Sequence, residues 1–276
     1  TQSPLSPTRQ LGHSQEQPPF SLLYCKSMSV HPILSAHMIQ LSIHAENEYL
    51  QVTITTWGAQ IKSVVRKCDR VEHIWQADKS VWGYHAPILF PHAGKVSQGQ
   101  IEAKGGVYES GQHGFARLME HEFVDQTADT IVLELCSSPE TLAKFPYEFR
   151  LVSTFTLEND TVHHTLTVEN LDSDKLPFGI GYHPAFTVPF DDQHTATDYE
   201  LRFSEMESPI CLNCLPTGLV QKDHYYLPAN IDAVEDKKQQ YLKLLNKKSK
   251  TLYLLLYRHT FYSGKKLHWI AGMHWL

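Results

Sequence analysis

Three segments of the chain place polar side chains among glycine, proline and aromatic residues. Each of them contains histidine, and an unperturbed histidine pKa of about 6.5 keeps both protonation states accessible near neutral pH. A side chain of this kind can give or take a proton as a general acid or base. The three segments are therefore the candidates for a functional site, and they span residues 75–95, 111–117 and 177–186.

The stretches around these segments have the pattern of β-strands. Apolar and polar residues alternate with a period of two, and polar residues at 45–48 and 158–161 predict the turns of two hairpins. Helical periodicity is almost absent, which favours an all-β fold, one large antiparallel β-sandwich, over an α/β fold. The polar segments fall between the predicted strands, where a rigid scaffold displays functional side chains. Strands are predicted at residues 39–43, 49–55, 59–65, 131–137, 149–157 and 162–169.

Composition predicts a short extension followed by one domain. Residues 1–37 are rich in serine, proline and glutamine with one acidic residue, Glu16, which is typical of a flexible segment. Residues 38–276 are interpreted as a single domain, because nothing between 38 and 230 resembles a linker. The 42% hydrophobic content is ample for its core. Because the chain does not begin with methionine, we interpret it as a fragment or as a translation that begins upstream of the natural start.

Composition also argues against several classes of protein. The net charge of −6 gives no reason to expect a nucleic-acid partner, and no apolar run is long enough to predict a membrane span. Five scattered cysteines favour a reducing cytoplasm over a disulfide framework. The pair Cys211 and Cys214 has no second pair after it, so we predict no metal site there. His163 and His164 must point to opposite faces of a strand and cannot form a ligand pair.

Four motifs in the polar segments carry a more specific signal. In chain order they are Trp-Gln-Ala-Asp at 75–78, Pro-Ile-Leu-Phe-Pro at 87–91, Gln-His-Gly-Phe-Ala-Arg at 112–117 and Gly-Tyr-His-Pro-Ala-Phe at 181–186. Together they resemble the aldose 1-epimerase (galactose mutarotase-like) superfamily, and within it the LacX-like group of bacterial proteins. The resemblance covers about residues 38–230 and implies the large antiparallel β-sandwich of that superfamily.

The resemblance implies interconversion of the α and β anomers of a free aldose. An acid protonates the ring oxygen, a base takes the proton of the anomeric hydroxyl, the ring opens, and closure on the other face reverses the roles. By motif, His183 corresponds to the catalytic acid. His113 corresponds to the second active-site histidine, which holds the ring oxygen and nearby hydroxyls. The implied partner is a small sugar, an aldohexose, and no metal or organic cofactor is implied because only protons are transferred.

The resemblance also suggests residues that bind the sugar. Lys95 lies where relatives carry arginine, and lysine keeps the charge but not the planar fork of a bidentate contact. The other candidates are Trp75, Trp82 and Phe186 for the apolar face of the sugar, with Arg117 and Asp78 for its hydroxyls. A place in the core is the alternative for the two tryptophans, and a structural hydrogen-bonding role is the alternative for Arg117.

The C-terminal part departs from the family pattern. Relatives carry the base as a glutamate in a segment resembling Cys-x-Glu-Pro-Trp, whereas this chain has no carboxylate after Asp236. Nine of the 24 basic residues lie in residues 237–276, so the earlier residues hold 15 basic against 30 acidic side chains. Either the last forty residues are out of frame or otherwise not the native ending, which we favour, or the protein has lost its base. In both cases we expect poor epimerase activity and a fold weakened by an unpaired sheet edge.

Three other interpretations stay open. A hexose-6-phosphate 1-epimerase would need several basic groups for the phosphate, of which the motifs supply Lys95 and Arg117. A non-catalytic carbohydrate-binding protein would explain the absent glutamate. A weaker interpretation is an open reading frame whose product does not fold. The sequence leaves the particular sugar and the oligomeric state open.

Overall fold

The structure, a computed structural model, describes residues 41–195, 198–202, 211–212, 217, 219, 225–226, 231–236, 239–244, 251–253, 256–261 and 266–274. These residues belong to one compact unit, residues 37–276. The extension predicted at residues 1–37 lies outside the described residues, so the predicted domain boundary stays a prediction.

Nearly all regular structure in the described residues is β-strand, and the ladders between these strands are antiparallel. One short α-helix, α1 (Pro139–Leu142), and 3-10 turns at Ser97–Gly99 and Ala116–Leu118 complete it. None of the described helices is long and apolar enough to cross a membrane. The strands are β1 (Ser42–Glu46), β2 (Leu50–Thr55), β3 (Gln60–Arg66), β4 (Ile88–Leu89), β5 (Gln100–Ala103), β6 (Gly106–Glu109), β7 (Glu122–Gln126), β8 (Thr130–Cys136), β9 (Phe149–Glu158), β10 (Thr161–Asn170), β11 (Pro177–Tyr182), β12 (Ala185–Thr187), β13 (Glu200–Arg202), β14 (Cys211–Leu212), β15 (Tyr225–Tyr226), β16 (Ile231–Asp236), β17 (Gln239–Leu244), β18 (Thr251–Tyr253), β19 (Leu256–Phe261) and β20 (Lys266–His274).

The largest sheet joins five strands in the order β20-β10-β9-β8-β7. Buried and half-buried side chains alternate along β8 and along β9 as far as Leu157, which is the period that predicted these strands. Smaller sheets have the orders β1-β2-β3, β19-β11-β4 and β13-β17-β16, and β5-β6, β12-β18 and β14-β15 are pairs. The predicted antiparallel β-sandwich is confirmed, and β2, β3, β8, β9 and β10 lie within one residue of their predicted bounds.

The first hairpin lies further along the chain than the sequence pattern predicted. Ala45 and Glu46, predicted as part of a turn, are paired within β1. Asn47 explains the shift, because its Oδ1 accepts hydrogen bonds from the main-chain N–H groups of Tyr49 at 2.9 Å and Leu50 at 2.8 Å. A side chain that bonds to the backbone two residues on makes an Asx turn, which places the reversal after Glu46.

The sequence predicted the strands after residue 236 only in part. The stretch 241–245, ambiguous between helix and strand, falls largely in β17, and the strand predicted at 252–257 is represented by β18 and β19. β20 was not predicted, because Ile270 interrupts the alternation of Leu267, Trp269 and Met273 with more polar residues. β20 pairs with β10 from Thr161 to Glu169. The unpaired edge expected from a lost C-terminal strand is therefore absent at β10.

Phe90 lies at the centre of a cluster of aromatic rings in the core. It is fully buried, and its ring centroid lies 5.0 Å from that of Phe149 and 5.8 Å from that of Phe178. The rings of Phe115 and Phe145 both lie at 6.2 Å, edge-on to it. Tilted and edge-to-face rings at such distances attract each other beyond the burial of their area. The cluster therefore anchors the chain on both sides of Phe90.

The two adjacent histidines of β10 lie on opposite faces, as predicted. His164 is buried, and its ring stacks on Phe155 with centroids 4.1 Å apart. His163 is half-buried, and its Nε2 lies 3.2 Å from a carboxylate oxygen of Glu158. The pair cannot ligate one ion.

Two described cysteines differ in state. Cys68 is free and exposed, whereas Cys136 is disulfide-bonded. The expectation that the cysteines are reduced is therefore wrong for Cys136. Whether two cysteines can be bridged depends on the distance between their Cα atoms in the fold, which spacing along the sequence does not show.

Candidate functional site

The three polar segments meet because the strands beside them pair. β4 pairs with β11, and just outside these strands the His183 N–H donates to the carbonyl oxygen of Pro87 at 3.0 Å. Phe90 forms an isolated bridge with Gly114. Main-chain hydrogen bonds therefore join residues 75–95 to the other two segments.

The loop that carries His113 is held by the main chain of Phe90. The carbonyl oxygen of Phe90 accepts hydrogen bonds from the N–H groups of Phe115 at 3.0 Å and Ala116 at 3.2 Å. Gly114 has a φ of 68°, in the left-handed region that glycine adopts without strain. Because Phe90 is buried among the aromatic rings of the core, these hydrogen bonds hold the loop against a rigid part of the fold.

His113 and His183 face each other and form what is called here the histidine pair. Their ring centroids are 5.7 Å apart and the ring planes are nearly perpendicular, at 89°. The ring of Trp82 lies 5.0 Å from that of His183 and is tilted by 30° to it. Both histidines are half-buried, so a small ligand can approach them from solvent.

Arg117 lies beside the pair. Its guanidinium is 4.8 Å from the ring centroid of Tyr84, in a cation–π contact, and its Nη2 donates to the carbonyl oxygen of Gln112 at 3.0 Å. Its Nε is buried and has no hydrogen-bond partner among the described residues. The contacts fit the structural role kept as an alternative for Arg117, but they also hold a positive charge near the two imidazoles.

Burial and this charge lower the pKa of both histidines of the pair. Burial is the main cause that lowers the pKa of His113; repulsion by Arg117, and by His183 and His92 when they are protonated, lowers it further, to about 4. Burial also lowers the pKa of His183, with Arg117 acting in the same direction. No carboxylate of the described residues is among the groups that act on either histidine.

Trp75 and Asp78 shape the turn that carries Trp82. The indole N–H of Trp75 donates to the carbonyl oxygen of Trp82 at 2.8 Å. Asp78 is exposed, and its Oδ1 accepts from the N–H of Ser80 at 2.8 Å and from its hydroxyl at 2.7 Å. These hydrogen bonds from Ser80 lower the pKa of Asp78. Both side chains therefore act in the turn behind Trp82.

The other two predicted sugar contacts, Lys95 and Phe186, have their described contacts with residues outside the histidine pair. Lys95 is exposed, and its Nζ donates to the carbonyl oxygen of Thr217 at 3.3 Å. Phe186 lies in β12, forms a bridge with Ile74 and packs partly buried against the hydrophobic core. The structure thus brings together His113, His183, Trp82 and Arg117.

Sequence reasoning missed several neighbours of the pair. Tyr84 contacts Arg117, and its ring lies 5.6 Å from that of Trp82. The position of Tyr84, two residues after Trp82 in the same polar segment, could have indicated that it lies near the site. His92, whose Nε2 lies 2.6 Å from the hydroxyl of Ser110, gave no signal, because that contact joins segments far apart in the chain.

The site offers two imidazoles, a guanidinium and an indole face. Such groups can transfer protons, bond to hydroxyls and pack against an apolar face of a small ligand. Within the described ranges, no three histidine, cysteine, aspartate or glutamate side chains are grouped so that they could hold a metal ion.

Comparison with known proteins identifies a family for the chain. The chain matches the aldose 1-epimerase family over residues 41–259. It is 33% identical to the chromosomal protein LacX of Lactococcus lactis subsp. lactis over 187 residues, which are 65% of this chain and 62% of LacX. The match to the plasmid LacX of the same organism has the same identity and extent. The match therefore spans less than two thirds of the length of these relatives.

Solved structures show the same likeness. A galactose mutarotase-like protein from Lactobacillus casei ATCC 334 is 32% identical with a TM-score of 0.64, covering 73% of this chain and 67% of that one. A galactose mutarotase related enzyme from Lactobacillus acidophilus is 21% identical with a TM-score of 0.69, covering 86% of this chain and 98% of that one. At that identity the second likeness shows the fold alone.

Fold and comparisons together define an epimerase- or mutarotase-like β-sandwich protein. The chain belongs to the aldose 1-epimerase family, in its LacX-like branch.

Proposed function

We propose that this protein binds a free aldose at the histidine pair and interconverts its α and β anomers by general acid–base ring opening. The observation that carries the proposal is the arrangement of His113 and His183, with ring centroids 5.7 Å apart and Trp82 against His183. A catalytic group must lie within about 3 Å of the atom that it serves. Two imidazoles at this spacing can reach neighbouring oxygens of one sugar ring.

Each residue of the site has a role in this proposal. His183 is the acid that protonates the ring oxygen, and His113 donates a hydrogen bond to the ring oxygen or a neighbouring hydroxyl. Trp82 packs against the apolar face of the sugar. Arg117 lowers the pKa of both histidines, so the imidazolium form of His183 is less populated near neutral pH but is a stronger acid when it forms. Lys95 and Asp78 stay as proposed polar contacts of the sugar, and Trp75 and Phe186 as proposed apolar contacts of its ring.

The chain does not supply an evident base. No carboxylate follows Asp236, and the charges that act on the pair within the described residues are cationic. A positioned general acid or base typically contributes about 10²–10⁴-fold to a rate. We therefore expect sugar binding with turnover lower by about this factor than in relatives that carry the glutamate.

The absent carboxylate also favours a second candidate, a carbohydrate-binding protein without catalysis. A hexose-6-phosphate 1-epimerase is a further alternative, although the guanidinium of Arg117 is engaged by Tyr84 and Gln112, which leaves Lys95 as the exposed cation of the motifs. The three candidates differ in what they bind and in whether they turn it over.

A mutarotation assay with a binding assay tests the proposal. The rate at which α-D-glucose and α-D-galactose reach anomeric equilibrium is measured with the chain, with His183→Asn and with His163→Asn as the matched control on β10. We expect a rate above the buffer rate that His183→Asn abolishes and His163→Asn keeps. Calorimetric binding without any such rate would identify a carbohydrate-binding protein. Tighter binding of glucose 6-phosphate would favour the phosphate alternative, and no binding of any of the three sugars would refute the proposal.

A further inference from the structure

Two loops of the site are joined by a reciprocal pair of hydrogen bonds. The N–H of His113 donates to the carbonyl oxygen of Gly94 at 2.8 Å. In return, the main-chain N–H of Gly94 donates to Nδ1 of His113 at 2.9 Å. Both residues have positive φ angles, 67° for His113 and 77° for Gly94. A non-glycine residue in the left-handed region is uncommon, and such residues cluster at functional sites.

The second bond fixes where the proton of His113 lies. A main-chain N–H can only donate, so Nδ1 must be the acceptor. A neutral imidazole has one donor and one acceptor nitrogen, and its proton therefore lies on Nε2. Protonation of Nδ1 would bring two N–H groups head to head and break the contact with Gly94.

The charges around His113 act in the same direction. Three ionisable groups influence the pKa of His113. They are Arg117 in the 3-10 turn at Ala116–Leu118, His183 directly after β11, and His92. All three disfavour an additional positive charge on His113. Geometry and electrostatics thus agree on a neutral ring.

Gln112 covers the other nitrogen. Its amide nitrogen, Nε2, lies 3.2 Å from Nε2 of His113. Because that histidine nitrogen carries the proton, the partner must be an acceptor, and the amide presents its carbonyl oxygen rather than its NH₂ group. The two ends of an amide are exchanged by a simple rotation, and the hydrogen-bond network decides between them. Gln112 is exposed, so a ligand can displace it.

We propose that the main-chain N–H of Gly94 fixes His113 as a neutral Nε2–H donor and that the Gln112 side chain caps this donor until a sugar oxygen replaces it. The inference rests on the proposed function and deepens it. Gln112 and Gly94 are positioning residues, and His113 can serve only sugar oxygens that accept a hydrogen bond. The acid step is then left to His183.

Histidine NMR on the full chain tests the first half without sugar. The protein is labelled with ¹⁵N-histidine, and two-bond ¹H–¹⁵N correlations report which ring nitrogen carries hydrogen. His113 is assigned by the signals that His113→Gln removes. We expect hydrogen on Nε2 alone, unchanged from about pH 8 to about pH 5, because both the bond to Gly94 and the nearby charges oppose protonation. Hydrogen on Nδ1, or titration near pH 6.5, would overturn the proposal.

Two variants of Gln112 test the second half. Gln112→Glu places a carboxylate at Nε2, which stabilises the imidazolium, so the titration midpoint of His113 should rise by about one unit. The matched variant Gln112→Leu provides no acceptor, and the hydrogen should stay on Nε2 with the midpoint unchanged. No rise in Gln112→Glu would show that Gln112 does not cover Nε2.

Addition of an aldose separates this proposal from the proposed function. If glucose or galactose binds at the pair, the Nε2 signal of His113 should shift in the original chain as the sugar replaces Gln112. If the hydrogen lies on Nε2 but no sugar shifts the signal, the proposed function fails while the assignment of the proton stands.

Discussion

A Cβ atom at Gly114 would lie 2.2 Å from the main-chain carbonyl oxygen of Phe90. Real Cβ atoms do not approach an oxygen so closely, and the φ of 68° would strain any other residue. Gly114→Ala must therefore displace either Phe90 or the loop that carries His113. We expect a loss of about 4 kcal/mol in the free energy of unfolding, at the upper end for single substitutions, and at least tenfold weaker sugar binding. Urea unfolding and calorimetric titration measure the two effects.

Gly105→Ala is the matched control for this prediction. Gly105 has a similar φ, 75°, but nothing lies within 4 Å of the Cβ that alanine would add. Backbone strain alone should cost about 1–2 kcal/mol and leave sugar binding unchanged. Equal losses in the two variants would show that the close approach to Phe90 is not the cause.

Arg117→Gln should raise the pKa of both histidines of the pair. Removal of the guanidinium charge takes away a repulsion that disfavours the imidazolium forms of His113 and His183. We expect each titration midpoint to rise by up to about one unit. As the pH is lowered, sugar binding should therefore begin to weaken at a higher pH in the variant than in the original chain. Histidine NMR and the pH dependence of binding provide the readouts.

Arg66→Gln tests whether that effect is specific. Arg66 pairs with Asp69 at 2.5 Å and lowers the pKa of His73, whose shift is caused mainly by burial. Its removal should move the midpoint of His73 and leave those of the pair in place. A change at the pair in Arg66→Gln would point to a general effect of net charge.

His164→Phe should make stability less dependent on pH. Burial is the main cause that lowers the pKa of His164 to about 3, and His121 lowers it further. The unfolded chain binds this proton below about pH 6.5 and the folded chain does not, so the free energy of unfolding falls as pH drops from about 6.5 to about 3. One such proton contributes a slope of about 1.4 kcal/mol per pH unit. Urea unfolding between pH 4 and pH 8 should show a shallower slope in the variant.

The packing around His164 supports this choice of substitution. The ring stacks on Phe155 and meets Tyr182 edge-on with centroids 4.8 Å apart, while its Nε2 is buried without a partner among the described residues. A phenyl ring keeps the shape and removes the unpaired nitrogen, so stability at pH 7 should be equal or higher. An unchanged slope in His164→Phe would contradict the prediction.

Trp82→Leu should weaken sugar binding by about tenfold. The leucine side chain cannot provide the flat surface that the indole sets against His183 and an incoming sugar, and such aromatic contacts are worth about 0.5–1.5 kcal/mol. Trp82→Phe keeps a ring and should lose less. The carbonyl oxygen that accepts from Trp75 is main chain, so neither variant removes that bond. Equal affinities in all three proteins would show that the indole does not touch the ligand.

The sequence predicted the parts of the fold whose signal is local. β9 and β10 follow from strict alternation and a good turn between them. The first hairpin was misplaced because one side chain, Asn47, decides the turn, and alternation does not show such a bond. β20 was missed because Ile270 interrupts the alternation of apolar and polar residues. The strand is nevertheless paired with β10 along its whole length.

The same division applies to the site. The motifs identified His113 and His183 because each stands in a dense local pattern, and the structure brings the two rings together. Gly94 and Gln112 escaped notice because their contacts with His113 depend on where two loops meet. Asp78 was predicted from its motif as a sugar contact, and that stays a prediction; its exposed carboxylate also accepts hydrogen bonds from the neighbouring Ser80, which the motif did not show.

The tilted contact between Trp82 and His183 gives the protein an optical reporter of its own. Indole fluorescence is quenched by a nearby imidazolium more than by neutral imidazole, so emission from Trp82 depends on whether His183 carries a proton. A sugar that displaces water from the indole would change the same emission. The chain has four other tryptophans, so the signal of the site is the difference between the original protein and Trp82→Phe. Proton transfer and ligand arrival can thus be followed in real time without any attached dye.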